Sequence, residues 1–203
     1  MQVNANRRSN PERSAEMRAR LIATARRLFV TDGYAATSTP ALVAEAGVTR
    51  GALYHHFPDK PAIFRAVVEA ESQAVAESIE AADAPEKSAL DRLLLGAEAY
   101  IRAMREHGRV RLLLIEGPSV LGREAMRQIE ALHGDASLKI GLKDAMTEGG
   151  LPPLPIDVLT SLLSAMFERG AMDVAEGESS DDVRVVIERM LRGLATAEIE
   201  TEI

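Results

Sequence analysis

Residues 46–60 read AGVTRGALYHHFPDK. Two glycines, a threonine, an arginine, a tyrosine, two histidines, a phenylalanine and a lysine crowd into this short stretch, and the flanking residues decide what the cluster is for. Upstream, TSTPALVAEAG carries the marks of a short helix. Ser38 or Thr39 caps it, Pro40 suits its first turn, Leu42, Val43 and Ala46 form its inward face, and Gly47 stops it. Thr49 then caps a third helix, which Pro58 ends. Asp59 caps a fourth, which starts at Lys60-Pro61 and runs through Ile63, Phe64, Val67 and Val68 to about Ala82. Before all of these, Leu21, Ile22, Ala25, Leu28 and Phe29 recur at helical spacing from Met17 onward until Gly33 closes the pattern. Arg13, Arg18, Arg20, Arg26 and Arg27 fall largely off that stripe.

A helix, a tight turn at Ala46-Gly47-Val48 and a second helix of this size have the geometry of a helix-turn-helix, a DNA-reading device. Gly47 supplies the positive φ of the turn, Val48 plugs the crevice between the helices, and Leu53 faces inward beside Leu42 and Val43. Thr49, Arg50, Gly51, Tyr54 and His55 are left on the outer face. The chemistry of that face suits a duplex. Thr49 can cap its helix or bond a phosphate, and Arg50 can bond guanine O6 and N7 or neutralise a phosphate. Gly51 lets the helix approach the groove closely, and Tyr54 and His55 can reach flanking phosphates. Lys60 adds charge at a helix N-terminus aimed at the backbone. A metal or acid–base reading of Tyr54-His55-His56-Phe57 fails, because adjacent helical histidines point about 100° apart and no Asp, Glu or Cys lies at ligand spacing.

Charge distribution agrees. The net charge of the 203-residue chain is −7, yet residues 1–65 hold ten Lys and Arg against five Asp and Glu, while residues 66–203 hold fourteen against twenty-six. A basic head on an acidic body implies that only the head meets a polyanion. Arg7, Arg8 and Arg13 form a basic arm that can reach the duplex from a disordered N-terminus.

Composition limits the rest. Aromatic residues make up 3% and hydrophobic ones 46%, so the core is built from Leu, Ala, Ile, Val and Met, which suits packed helices. With no cysteine, disulfides, thiolate metal sites and thiol catalysis are excluded. The N-terminus lacks the apolar stretch of a signal peptide and no apolar run is long enough for a membrane span, so a cytoplasmic protein without membrane contact is expected.

Past AADAPEK at 81–87, the pattern predicts a helix to about Glu106, a short apolar helix at VRLLLIE, a turn at GPSVLG, one helix from about Arg123 to Thr147, a stiff loop at EGGLPPLP, and helices at about 155–176 and 181–199. The last two carry seams. Leu159, Leu162 and Met166, with Val183, Val186, Ile187, Met190 and Leu194, either face the core or pair with a second copy as an intermolecular four-helix bundle.

The stretch TSTPALVAEAGVTRGALYHHFPDKPAIF, preceded by RLIATARRLFVTDGYAAT, closely resembles the N-terminal domain of the TetR family of transcriptional regulators. The resemblance is strong over residues 14–66 and extends only to length and helix order beyond. It implies an all-α fold of about nine helices: a three-helix DNA-binding domain at 1–65 and an effector-binding and dimerisation domain at 66–203. By position it makes Ser38 and Thr39 phosphate contacts, Thr49, Arg50, Gly51, Tyr54 and His55 the recognition set, and Lys60 a phosphate contact, with His56 and Phe57 packed beneath. Where relatives carry an acid three residues after the helix-two cap, Ala41 stands here. EGPSVLGRE resembles a turn of one branch of the family, with Arg123 where Trp is common, and is read as the joint between the sixth and seventh helices.

Regulators of this kind bind small effectors between the helices of the second domain, in mostly apolar pockets with a few polar anchors. Tyr100, Met104, Met126, His133, Leu163, Met166 and Phe167 are the candidate lining, with Arg111, Glu116 and Glu168 as further polar groups in apolar surroundings. No nucleophile elbow, phosphate loop or paired-carboxylate motif is present, so no enzyme and no cofactor is implied. The expectation is a homodimeric, ligand-responsive repressor on a palindromic double-stranded operator with an unidentified small-molecule effector. An activator of the same fold, or a helical ligand-binding protein without an operator, is the alternative.

Overall fold

The computed structural model describes residues 10–132 and 134–196, which form ten α-helices and one π-turn with no strand among them. Contacts divide the chain into two compact units, residues 1–69 and 70–203. The fourth helix, α4 (Lys60–Glu80), contributes residues to both.

In the first unit, α1 (Asn10–Asp32), α2 (Thr39–Ala46) and α3 (Arg50–His56) pack with the start of α4. Leu21, Phe29, Leu42, Leu53, Phe57, Ile63 and Phe64 are buried together. Each such side chain contributes roughly 1.5–3 kcal/mol of burial. Phe29 meets Phe64 edge-on at 5.2 Å between centroids, and Tyr34 closes the cluster at 4.8 Å from Phe64. The first helix begins earlier than its apolar stripe, which starts at Met17. Pro11 and Glu12 occupy its first turn, where a missing N–H costs nothing and an acid suits the helix dipole. Arg13 therefore sits on helix; Arg7 and Arg8, the rest of the expected arm, lie outside the described residues.

The second unit holds the remainder of α4 with α5 (Ala89–Met104), the π-turn (Arg111–Glu116), α6 (Gly117–Leu121), α7 (Arg123–Leu132), α8 (Gly134–Thr147), α9 (Ile156–Glu176) and α10 (Ser180–Thr196). Leu93, Ile101, Leu112, Ile129, Leu142, Phe167 and Leu191 are buried in it. Ser88 caps α5, accepting from the Asp91 N–H at 3.2 Å and donating its hydroxyl to the Asp91 carboxylate at 2.7 Å. Glu71 and Arg109 form a buried pair at 2.8 Å, and Arg109 also donates to the Ala103 carbonyl at 2.7 Å. Such a pair holds α4 to the segment after α5, since separating its members would strand a charge in the interior.

One expected element is different in the structure. GPSVLG is not a turn: Gly117–Leu121 is helical, and the chain breaks only at Gly122, with φ 83° and ψ 159°. Pro118 has no N–H to give to the residue four before it, and the widened turn ahead of it absorbs the mismatch, with the Gly117 N–H reaching back five residues to the Leu112 carbonyl. The single helix expected from Arg123 to Thr147 is helical on both sides of position 133, which lies outside the described residues, over α7 and α8.

Candidate nucleic-acid interface and ligand cavity

The turn between α2 and α3 is built from caps. The Ser38 hydroxyl accepts from the Ala41 N–H at 3.2 Å and fixes the start of α2, with Thr39 and Pro40 following in its first turn. Gly47 adopts φ 62° and ψ 39°, a left-handed conformation that disfavours a side chain. Its N–H bonds Ala44 O at 3.2 Å and the Val48 N–H bonds Val43 O at 3.2 Å, which closes α2. Thr49 then caps α3, accepting from the Ala52 N–H at 3.1 Å. Each capping hydroxyl is used as an acceptor and keeps its own proton to donate outward.

On α3, Leu53 is buried and the next residue after the helix, Phe57, is buried with the Arg18 guanidinium 5.0 Å above its ring. Thr49, Arg50, Gly51, Tyr54 and His55 are all exposed, and His56 is half-buried. Arg50 lies over the Tyr54 ring at 5.4 Å, one turn along the helix. A Cβ on Gly51 would meet only the Thr49 hydroxyl, at 4.0 Å, so packing among the described residues does not require glycine there. The His55 and His56 rings stand 5.2 Å apart at 76°.

Lys60, expected as a phosphate contact, also has partners within the fold. Its ammonium donates to the Tyr34 carbonyl at 2.9 Å and to the Thr37 carbonyl at 3.0 Å, and sits 4.2 Å from the Tyr34 ring centroid. Two of its three donors hold the α1–α2 loop immediately before the Ser38 cap. Burial, and then the Asp59 carboxylate, push the Tyr34 hydroxyl above the usual tyrosine range.

Entirely within the second unit, a cavity of about 370 Å³ opens among α4, α5, α7, α8 and α9. Tyr100, Met104, Met126 and Phe167 line it; Leu163 and Met166 do not, and His133 lies outside the described residues. Leu163 is instead buried in the helix packing. Of the further polar groups, Glu168 lines the cavity and Arg111 and Glu116 do not. Arg92, also on the wall, meets Asp83 with both arms, at 2.8 and 3.3 Å. The Asp83 hydrogen bond is the largest cause holding Arg92 above its ordinary range, and the reciprocal bond holds Asp83 below the carboxylate range.

On α9 and α10 the seam residues separate. Ile187 is buried, its side chain 3.4 Å from where a Cβ on Gly170 would sit, so it belongs to packing between α9 and α10 of one chain. Leu162, Val186 and Met190 are 65%, 56% and 53% exposed. Leu159, Met166, Val183 and Leu194 are intermediate.

Two family models match the chain: bacterial regulatory proteins of the tetR family over residues 21–67, and the tetracyclin repressor-like C-terminal domain over residues 90–196. The chain belongs to the TetR family. It is therefore a DNA-binding transcriptional regulator and not an enzyme. The HTH-type transcriptional regulator AcrR of Shigella flexneri is 36% identical over 70 residues, 34% of this chain and 33% of the relative, so the chain spans about a third of that protein. The HTH-type transcriptional repressor AcnR of Corynebacterium diphtheriae is 26% identical over 89% of this chain and 92% of its own. A crystal structure of a TetR-family regulator from Pectobacterium atrosepticum superposes with a TM-score of 0.73 at 30% identity, covering 94% of this chain and 99% of that one.

The cavity of this TetR-family chain is where sequence reasoning missed most. Ser72, Val75 and Ile79 of α4, Leu93 and Gly96 of α5, and Ser137, Gly141 and Asp144 of α8 all line it. The small residues Gly96 and Gly141 at the α5 and α8 faces were the readable signal, since glycine inside a helix costs about 1 kcal/mol without a reason of space. Among the described residues no group of three His, Cys, Asp or Glu could hold a metal, and no helix is long and apolar enough to cross a membrane.

Proposed function

We propose that this TetR-family regulator is a ligand-responsive repressor that binds a roughly palindromic operator in the cytoplasm as a homodimer. The observation that carries the reading is the division of α3 into a buried side, Leu53, and an exposed one bearing Thr49, Arg50, Gly51, Tyr54 and His55. Residues 1–65 form the DNA-binding part and residues 66–203 the effector and dimerisation part. In a dimer, two α3 helices would enter successive major grooves about one helical turn apart, with Arg50 reading base edges and Ser38, Thr39, Tyr54 and His55 on phosphates.

Support for dimerisation comes from Leu162, Val186 and Met190, large apolar side chains left exposed on the last two helices. The cavity supports an effector, and the likeness to AcnR over most of the chain, a protein named as a repressor, favours repression over activation. Effector and operator are then linked reciprocally: each weakens binding of the other by the same factor. The test is a gel shift with DNA flanking the regulator's own gene, paired with a reporter fused to the same promoter. Retardation together with a reporter that rises when the regulator is deleted is expected. A reporter that falls on deletion would make the protein an activator.

A further inference from the structure

We propose that operator binding by this chain takes up a proton from solvent at His55, so that the regulator holds DNA more tightly as the pH falls from about 8 to about 6. The inference deepens the reading of α3 given above and rests on it. Side-chain charge in that window changes chiefly at imidazoles, because the chain has four histidines and no cysteine. Two of the four, His55 and His56, stand side by side at the end of α3. His55 is exposed on the face that carries Arg50 and Tyr54, and His56 is half-buried. Among the described residues neither imidazole has a hydrogen-bond or ion-pair partner, and each has only the other ring, at 5.2 Å.

The acids of the neighbouring elements are engaged elsewhere. Glu45 of α2 pairs with Arg27 at 2.5 Å, and Asp59, at the turn into α4, accepts from the Ala62 N–H at 2.7 Å. The neighbouring cations are Arg50 on α3 itself, Arg18 of α1 over the Phe57 ring at 5.0 Å, and Lys60, held on the Tyr34 and Thr37 carbonyls. No carboxylate of the described residues therefore bonds a charged His55 in the free protein. Phosphates on the same face change that balance. Their oxygens accept from an imidazolium in a charge-assisted hydrogen bond, and their field favours the positive form. At 5.2 Å the two imidazoles repel each other when both are charged, so the pair takes up about one proton per protomer. Linkage fixes the sign: binding that takes up protons strengthens as pH falls.

Fluorescence anisotropy of a labelled duplex that the protein retards in a gel shift, at constant ionic strength and at about pH 6 and 8, provides the test. Wild type should bind about tenfold or more tightly at the lower pH. His55→Gln keeps a hydrogen-bond donor but cannot take up the proton, and its affinities at the two pH values should agree within about threefold. His107→Gln, an exposed position of the second unit, should keep the wild-type response. A wild-type affinity that does not rise as pH falls would overturn the inference, and so would a rise that survives in His55→Gln or vanishes in His107→Gln. Arg50→Ala, measured beside them, separates the two readings. If it binds weakly while wild type is indifferent to pH, α3 reads DNA and only the proton uptake is wrong. If Arg50→Ala and His55→Gln both bind as wild type does at either pH, the exposed side of α3 does not read DNA and both readings fall.

Discussion

Gly51 and Lys60 separate what individual residues do for the fold from what they do for DNA. Gly51 sits in a helix, exposed, without a positive φ and with open space where a Cβ would go. Glycine there lowers helix stability by about 1 kcal/mol relative to alanine. Gly51→Ala should therefore raise the thermal midpoint slightly while weakening operator binding, because the methyl group stands between helix and groove. A gain in stability with unchanged affinity would remove Gly51 from the interface. Lys60 was legible in sequence as a charge at a helix start, but its partners were not, because the Tyr34 and Thr37 carbonyls lie more than twenty residues upstream. Lys60→Met should cost about 1–2 kcal/mol through loss of charged hydrogen bonds. It should also weaken operator binding with little change in the salt dependence of affinity. An unchanged thermal midpoint with the log–log salt slope reduced by about 0.9 would instead make Lys60 a phosphate contact.

At the scale of elements, whatever depends on local chemistry was legible. The caps at Ser38 and Thr49 and the left-handed Gly47 are consequences of side chains within three or four residues, and the structure has them. The π-turn at Arg111–Glu116 was not legible, because its hydrogen bonds follow a five-residue spacing that a 3.6-residue apolar pattern does not distinguish. Gly117 is the point at which that element touches its neighbours. A Cβ there would lie 2.9 Å from the Leu112 carbonyl oxygen and 3.0 Å from the Met126 sulfur. The sulfur can shift but the backbone oxygen cannot. Gly117→Ala should cost about 1–3 kcal/mol, seen as a lowered midpoint in chemical denaturation, and because Met126 lines the cavity it should also alter ligand affinity. A variant as stable as wild type would show that the wide turn yields easily.

For the molecule as a whole, the two-part charge pattern and the helix order were legible, and the cavity was legible only in fragments. Its wall draws on five helices separated by up to nearly a hundred residues, so no single stretch reveals it. The seam of α10 shows the same limit, since Val186 and Ile187 are neighbours in sequence but one is exposed and the other buried. That difference makes assembly testable. Leu162→Asp with Met190→Asp should leave the fold intact, yield a monomer in sedimentation velocity and lower operator affinity about a hundredfold or more, as losing one of two linked half-sites does. Ile187→Asp should unfold the second unit instead. A dimer that survives the double substitution would place the interface elsewhere.

The central claim is that the exposed side of α3 reads DNA, and fluorescence anisotropy of a labelled operator, titrated with wild type and Arg50→Ala, tests it most directly. Arg50 is exposed and touches Tyr54 on the same face, so its removal costs the fold little. The account predicts an affinity loss of about tenfold or more at an unchanged thermal midpoint. Wild-type affinity in Arg50→Ala, or a variant that unfolds, would contradict it.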